Sequence, residues 1–312
     1  MLAACLVLMA PSGRGASATS LQALVDQTMR GQAGALVALE VSTGRILAQS
    51  HLKLAAQRLE QPGSVVKPFL LQAMLASGRI SANQKLICRR PLYISGKRMD
   101  CSHPESITAL DAVDALAYSC NSYFAALGSH ATGAELRDAF QRAGLFSATG
   151  LAPDEAVGRI WTANDESKLE LQALGHWGIE VTPLELLAAY RSLALQKLRH
   201  QESDKGNGKP SATVSEAVAS ERPVFEGLER SVQYGMAHLA QPVGITAAGK
   251  TGTASGPNTH RTHGFFAGYA PAAKPEIVLV VYLESGRGAD AAALAAPIFT
   301  AYGKESHANV GH

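Results

Sequence analysis

Apolar and polar positions along the chain follow two spacings, and each spacing predicts one kind of element. The segment 33–50, "AGALVALEVSTGRILAQS", contains two β-rich runs joined at Ser42, Thr43 and Gly44, which predicts a hairpin. Three further β-rich runs, "GITAAGKTGTAS", "HGFFAGYAP" and "EIVLVVYLES", lie near the C-terminus and are separated by Gly and Pro. Strands are therefore expected at both ends of the chain.

The middle of the chain is predicted to be helical. Apolar residues follow a 3.6-residue period in four stretches, 64–77, 108–128, 133–143 and 182–195. The polar stretch 201–222 predicts a solvent-exposed loop, and helices are expected at about 226–240 and after the last strand. Strands around a helical middle indicate an α+β fold, an antiparallel sheet flanked by helices plus an all-helical lobe.

Composition and charge limit the classes of function. With 312 residues, 46% of them hydrophobic and 17% charged, the chain can bury a large core, and its length suits one domain of two lobes. The net charge is +2, and Lys and Arg are scattered without a basic stripe. This distribution argues against a nucleic-acid partner.

The N-terminus has the pattern of an export segment. An apolar run at 2–10 precedes small residues, which predicts cleavage near Ala18. Because a positive n-region is missing, residues 1–18 are interpreted as either a signal or a truncated membrane anchor, and 19–32 as a linker. "LAAC" resembles a lipoprotein box at Cys5, although simple secretion is favoured because the box lies so near the start. A periplasmic or other extracytoplasmic location follows, with membrane contact only through this segment.

Two cysteines bracket a predicted hairpin. Cys88 and Cys101 flank "RRPLYISGKRMD", which has turn residues at 95–96. In an oxidising compartment we expect a Cys88–Cys101 disulfide, with two buried thiols as the alternative. Zinc is not expected, because C-x-x-C spacing is absent and His103 alone does not complete a tetrahedral set.

The segment "QPGSVVKPFLLQAML", 61–75, places a hydroxyl and an amine on the first turn of a predicted helix. Ser64 and Lys67 are three residues apart, so they are expected to share one face. An amine among apolar neighbours has a lowered pKa and can accept a proton from a nucleophilic serine. Taken alone, the pattern also fits a capping serine and a lysine that reaches water.

Two other short motifs follow in the chain. "AYSCNSYFAALG" contains an S-x-N pattern, and "AAGKTGTAS" contains a K-T-G pattern on a predicted strand. Each is common by chance as a turn or a cap, so their order and spacing after Ser64 carry the evidence. Cys120, inside S-x-N, is expected to be a small buried side chain rather than a second nucleophile. The candidate residues of these two motifs are Ser119, Asn121, Lys250, Thr251, Gly252 and Thr253.

The three motifs in this order resemble the penicilloyl serine transferases, which include penicillin-binding proteins and serine β-lactamases. "PGSVVKPF" is similar to the family's P-G-S-T-x-K-P, with Val65 in place of the threonine. "GIEVTPLELLAAY" resembles a helix of the transpeptidase branch, and "HGFFAGYAPAAKPEIVLVVYLE" resembles its strand after K-T-G. The resemblance covers roughly 33–302. It implies a single β-lactamase/transpeptidase-like domain over 33–312.

The resemblance implies a division of that domain into two lobes. The sheet lobe is expected at about 33–62 and 226–312, and the helical lobe at about 64–225.

The resemblance also implies roles for the motif residues. Ser64 would attack a carbonyl carbon while Lys67 accepts its proton, and Ser119 would relay a proton to the leaving amine. Asn121 would hold Lys67 and a substrate amide. Lys250 would supply electrostatics from the strand side.

On the strand side, the Thr251 and Thr253 hydroxyls would meet a substrate carboxylate, and Gly252 would leave room for substrate. The backbone N–H groups of Ser64 and Thr253 would form the oxyanion hole. No metal or other cofactor is implied.

The implied activity is that of a peptidoglycan D,D-transpeptidase or D,D-carboxypeptidase acting on stem peptides that end in D-Ala-D-Ala. β-Lactams would acylate Ser64, and cell-wall assembly proteins are further partners. One alternative is a serine β-lactamase: "ESKLE" is similar to that class's E-x-x-L-N, but Glu170 stands at the asparagine position. A second alternative is a non-turnover penicillin-binding sensor or assembly module. His176 is interpreted as a packing or capping residue, and His260 and His263 as surface or strand-end residues.

Overall fold

The computed structural model describes residues 15–205, 212–255 and 261–308. Its helices are α1 Gly15–Thr28, α2 Leu52–Gln57, α3 Lys67–Ala76, α4 Ala112–Ala117, α5 Asn121–Ser129, α6 Gly133–Arg142, α7 Glu166–Ala173, α8 Pro183–Lys205, α9 Ala212–Gln233 and α10 Gly288–Ala308. Its strands are β1 Gly34–Glu40, β2 Ile46–Ser50, β3 Leu86–Ile87, β4 Tyr93–Ile94, β5 Lys97–Arg98, β6 Ala109–Leu110, β7 Arg159–Ile160, β8 Ile179–Glu180, β9 Ala248–Ser255, β10 Thr262–Ala270 and β11 Ile277–Leu283. Two 3₁₀ turns lie at Gly63–Val66 and His238–Ala240.

The predicted α+β architecture is confirmed. Five antiparallel strands form one sheet in the order β2-β1-β11-β10-β9, so β9, which carries K-T-G, is an edge strand. The predicted hairpin at 33–50 forms β1 and β2, with a register shift after Ala38. The helical lobe also contains three small two-stranded sheets, which the apolar pattern did not predict because two-residue strands show no periodicity.

Both faces of the sheet are buried, which explains the continuous apolar runs of its central strands. In β1, Val37 and Leu39 belong to the core shared with α8 and the helical lobe, whereas Leu36 and Ala38 belong to the core beneath α1 and α10. All seven residues of β11 are buried. The sheet is therefore the middle layer between two helical layers.

The predicted linker at 19–32 is wrong for most of its length. Helix α1 extends to Thr28. Leu21 and Val25, with Met29 just after the helix, are spaced four residues apart and are buried in the core that α1 shares with β2 and α10. Apolar residues repeated at a spacing of four lie on one helical face and can hold such a segment against a core. Residues 1–14 of the predicted signal lie outside the described residues.

The helix predictions differ in accuracy. The stretch 133–143 forms α6, which begins at a capping box between Thr132 and Glu135. The stretch 108–128 is instead broken into β6, α4 and α5. Most of the predicted loop 201–222 is helical, because Glu, Gln, Lys and Ala favour helix without an apolar period. Across the described residues, none of the helices has both the length and the apolar character needed to cross a membrane.

Candidate active site

The turn at Gly63–Val66 fixes the position of Ser64. Gly63 has φ of +57°, and a Cβ there would lie 2.7 Å from the carbonyl oxygen of Thr253. Only glycine fits this conformation and this approach of the turn to β9. The next residue, Val65, is fully buried, and its carbonyl accepts a hydrogen bond from Tyr190 Oη at 2.8 Å. Ser64 is therefore held at the seam between β9 and the helical lobe.

Lys67 is completely buried, and its ammonium points at the S-x-N motif. Nζ donates to Asn121 Oδ1 at 2.7 Å, to the Ser119 carbonyl at 3.0 Å and to Ser119 Oγ at 3.3 Å. The predicted pairing with Ser64 is not a hydrogen bond among the contacts of the described residues, because these three acceptors take the three donors of the ammonium. Burial lowers the pKa of Lys67 to about 8.

The S-x-N segment has a strained backbone at Ser119, and its polar groups form hydrogen bonds with Lys67 and with neighbouring carbonyls. Ser119 has φ of +55°, a conformation that costs a non-glycine residue about 1–3 kcal/mol. Asn121 accepts from Lys67, and its Nδ2 donates to the carbonyls of Met99 at 3.0 Å and Asp100 at 3.4 Å. The amide oxygen has a second lone pair, so the role of Asn121 toward a substrate amide stays a prediction.

On β9, Lys250 is completely buried and donates to the Thr251 carbonyl at 3.2 Å. Burial, reinforced by the charge of Lys67, lowers the pKa of Lys250 well below its ordinary value. The Thr253 hydroxyl accepts a hydrogen bond from Gly288 N at 2.8 Å, which leaves its own proton available.

A glycine is required at position 252 for a reason other than the expected space for substrate. A Cβ there would lie 2.3 Å from the Pro62 carbonyl oxygen and 3.1 Å from Val65. The missing side chain lets β9 pack against the turn that carries Ser64, and it does not open space for a substrate. The reason for a glycine at this position is therefore packing, and a part for Gly252 in substrate binding stays a prediction.

One cleft of about 320 Å³ brings the three motifs together. Ser64, Ser119, Asn121, Thr251 and Thr253 line it, while Lys67 and Lys250 are buried behind its wall. A larger cavity, about 580 Å³, lies between α3, α6, α8 and α9 and contains no motif residue. We therefore take the smaller cleft as the candidate active site.

The family model described as the penicillin binding protein transpeptidase domain matches residues 34–302. The chain belongs to this family. Its curated relatives include the peptidoglycan D,D-transpeptidase FtsI of Escherichia coli K12, 27% identical over 90% of this chain and 53% of the relative. The peptidoglycan D,D-transpeptidase PbpA of Mycobacterium tuberculosis is 26% identical over 85% of this chain and 65% of the relative. The chain thus spans about half to two thirds of the length of these relatives.

Solved structures show the same fold. A crystal structure described as a peptidoglycan glycosyltransferase from Burkholderia ambifaria matches with a TM-score of 0.74 and 21% identity, covering 95% of each chain. The apo transpeptidase domain of Burkholderia pseudomallei penicillin-binding protein 3 matches with a TM-score of 0.75 and 19% identity, covering 94% of this chain and 95% of that one.

Sequence reasoning missed one histidine of this transpeptidase domain. His176, expected to pack, lines the cleft, and burial together with the charge of Lys67 lowers its pKa to about 3, so it is neutral. Its signal was the flanking glycines, Gly175 and Gly178, which both have positive φ and mark a tight turn after α7.

The two later histidines have different outcomes. His263 is the second residue of β10, which agrees with a strand-end position, but it is buried, with Nε2 2.7 Å from the Gln61 carbonyl. His260 lies outside the described residues.

The predicted Cys88–Cys101 disulfide is wrong for this structure. The two Sγ atoms are 3.6 Å apart, and both cysteines are free thiols. The sulfur of Cys101 is also 3.6 Å from that of Cys120, and His103 Nε2 lies 3.5 Å from Cys88 Sγ. Cys101 therefore shares a four-residue cluster instead of pairing with one thiol. Cys120 is buried as expected, but it belongs to this cluster and is not a simple packing residue.

Proposed function

We propose that the transpeptidase domain is a serine acyltransferase that forms an acyl-enzyme on Ser64 with peptidoglycan stem peptides ending in D-Ala-D-Ala. The observation that carries the proposal is the buried Lys67, held between Ser119 and Asn121 behind the cleft that Ser64 lines. A pKa of about 8 leaves part of this lysine neutral at physiological pH, as a base must be. The names of the curated relatives agree with this chemistry.

In the acylation step, Ser64 Oγ attacks the carbonyl carbon of the penultimate D-Ala, and its proton passes to neutral Lys67. The new C–O bond replaces the scissile C–N bond. The departing D-Ala amine takes a proton that Lys67 returns through the Ser119 hydroxyl, which lies 3.3 Å from Nζ. An acceptor amine, or water in a carboxypeptidase, then attacks the ester and frees Ser64.

The strand side would hold the substrate carboxylate and the oxyanion. The Thr251 and Thr253 side chains line the cleft, and Lys250 lies directly behind them. An incoming carboxylate raises the pKa of Lys250 toward its ordinary value, so the cation forms when substrate binds. The N–H groups of Ser64 and Thr253 serve as the oxyanion hole, because Gly63 brings the turn against Thr253.

The geometry favours slow deacylation over β-lactamase activity. Among the residues that line the cleft, Asp100 is the one carboxylate, and it already accepts from Leu92 N at 2.6 Å and Arg98 Nε at 2.5 Å. Glu166, the first residue of the "ESKLE" segment compared with the β-lactamase motif, lies on α7 outside the cleft lining. A fast hydrolase needs a free base beside the ester.

An extracytoplasmic location, β-lactam binding and association with cell-wall assembly proteins are part of the same proposal, because peptidoglycan is built outside the cytoplasm. The apolar N-terminal run supports export.

Intact-mass spectrometry after brief exposure to benzylpenicillin tests the proposal. We expect one adduct that persists for hours after free drug is removed, that is lost in Ser64→Ala and that is retained in Ser102→Ala, an exposed serine of the same cleft. Release of D-Ala from a stem peptide, with and without an amine acceptor, then separates hydrolysis from transfer. An adduct that vanishes within seconds would indicate a β-lactamase. A folded protein with no adduct would refute the acyl-enzyme.

A further inference from the structure

Three cysteines and a histidine from distant parts of the chain meet beside the S-x-N motif. Cys88 follows β3, Cys101 and His103 follow β5, and Cys120 separates Ser119 from Asn121. Their ligand atoms all lie within 4.8 Å of one another. The proposed acylation uses none of these side chains. Their function therefore has to be sought elsewhere.

The spacing of the four atoms is that of a tetrahedral metal site. Zn–S bonds of about 2.3 Å and Zn–N bonds of about 2.0–2.1 Å imply S···S edges of about 3.8 Å and S···N edges of about 3.6 Å. The measured edges are 3.6 Å from Cys101 to Cys88, 3.6 Å from Cys101 to Cys120 and 3.5 Å from Cys88 to His103. A disulfide needs about 2.05 Å and accounts for only two of the four residues.

Backbone donors favour the thiolate form that binds metal. Cys101 Sγ accepts from Asn121 N at 3.1 Å and from Ser122 N at 3.4 Å, both at the start of α5. Cys120 Sγ accepts from Tyr123 N at 3.4 Å. Backbone N–H groups aimed at sulfur stabilise negative charge on it.

The imidazole is oriented as a ligand. His103 is buried, and its Nδ1 lies 3.1 Å from the Pro104 carbonyl. Once the neighbouring Arg90 guanidinium moves away from Nδ1, a proton on Nδ1 can be donated to that carbonyl, which leaves the Nε2 lone pair on the side of the sulfurs.

A cation next to the imidazole completes the charge balance. Arg90 Nη2 lies 2.6 Å from His103 Nδ1 and 3.0 Å from Nε2, and it donates to the His103 carbonyl at 2.8 Å. A divalent ion with three thiolates and a neutral histidine carries one negative charge, which the guanidinium neutralises. Metal binding requires Nη2 to move off the imidazole ring while keeping its bond to the carbonyl.

We propose that Cys88, Cys101, His103 and Cys120 bind one Zn²⁺ ion as a structural site that positions the S-x-N motif. Three thiolates and one imidazole are a soft, tetrahedral set, which suits zinc better than magnesium, calcium or manganese. Binding releases the thiol protons that remain and involves no change of oxidation state. The missing C-x-x-C spacing does not exclude this site, because the fold brings together four ligands that are far apart in the sequence.

The site acts on the reaction through position. Cys120 is the residue between Ser119 and Asn121, whose oxygens hold the Lys67 ammonium. An ion bound to Cys120 and to two other segments keeps the strained Ser119 backbone in place. The four ligands are therefore positioning residues and not catalytic residues.

Metal content of the full chain, purified without added metal, tests the site. We expect about one zinc per chain by elemental mass spectrometry, released stoichiometrically by a mercurial and captured by a chromogenic chelator. Exchange with Co²⁺ should give thiolate-to-cobalt charge-transfer bands and the intense visible bands of a tetrahedral site. These measurements do not depend on acylation, so a negative result would refute the zinc site without bearing on the proposed acyltransferase function.

Variants assign the ligands. Cys88→Ser and His103→Ala should each lose zinc and the cobalt bands, and His103→Cys should retain both because it restores a fourth ligand. Cys5→Ser, the remaining cysteine of the chain, is the matched control and should change neither. Chelation should lower the Tm and slow penicillin acylation several-fold, and added Zn²⁺ should restore both. Wild-type protein that takes up neither zinc nor cobalt overturns the site, as does a native mass lower by two hydrogens with two thiols missing.

Discussion

The pH dependence of acylation should follow the ionisation of Lys67. Only the neutral amine accepts the Ser64 proton, and burial lowers its pKa from 10.5 to about 8. At pH 7 the neutral fraction is then about 10%, against roughly 0.03% for an unperturbed lysine, a gain of about 300-fold. The fraction rises with pH, so the acylation rate should increase about tenfold between pH 7 and pH 9 and level off above the pKa. His176, with a pKa of about 3, does not titrate in this window.

Stopped-flow acylation with a fluorescent penicillin, measured from pH 6 to pH 10, gives this profile. Asn121→Asp is the diagnostic variant, because Oδ1 lies 2.7 Å from Lys67 Nζ and a carboxylate there should move the midpoint upward by about 1–3 units. Lys250 does not contact Asn121 among the described hydrogen bonds, so its titration should not respond in the same way. A rate that is flat or falls with pH, or a midpoint that Asn121→Asp leaves unchanged, would refute Lys67 as the base.

Three further substitutions test the packing that supports the site. Gly252→Ala puts a Cβ 2.3 Å from the Pro62 carbonyl, so thermal melts should show a loss of about 1–3 kcal/mol and acylation should slow, whereas unchanged melting would contradict the close approach of β9. Val25→Ala removes fully buried atoms from α1 and should cost roughly 1–3 kcal/mol in urea unfolding; no loss would mean that α1 does not pack on the sheet. Ser119→Gly relieves a φ of +55° but removes a hydroxyl that accepts from Lys67, so the two effects on stability should nearly cancel, to within about 1 kcal/mol, while acylation slows; a faster reaction would exclude the proton relay.

Elements could be predicted where the apolar pattern extends over many residues. They could not be predicted where tertiary contacts determine the local structure. The runs that form β9, β10 and β11 alternate with Gly and Pro, so their boundaries were accurate to a few residues. The stretch 108–128 looked like one helix. The helix is interrupted at Ser119, whose φ is positive, but the apolar residues on either side keep the helical spacing. Residues 19–28 of α1 were taken as a linker, because the apolar face around Leu21, Leu24 and Val25 is too short to identify a packed helix from sequence.

The site shows the same division. Ser64, Lys67, Ser119 and Asn121 were found through motif order, but the partner of Lys67 was not, since side-chain spacing along one helix cannot show an acceptor from another. The cysteine pair was misassigned for a related reason. Cys120 is 19 residues from Cys101, and only the folded chain shows that their sulfurs are 3.6 Å apart.

The site depends on close contacts across the seam between the sheet and the helical lobe. Gly252 meets Pro62, and the ammonium of Lys67 meets Asn121, so each motif is held by the backbone or side chain of another. A buried ammonium without its acceptors costs several kcal/mol, which is a large part of the stability of a domain. Loss of the S-x-N position should therefore weaken the fold and the chemistry together. A structural ion at Cys120 would act on both, because it holds the one segment that supplies every hydrogen-bond acceptor of Lys67 among the described residues.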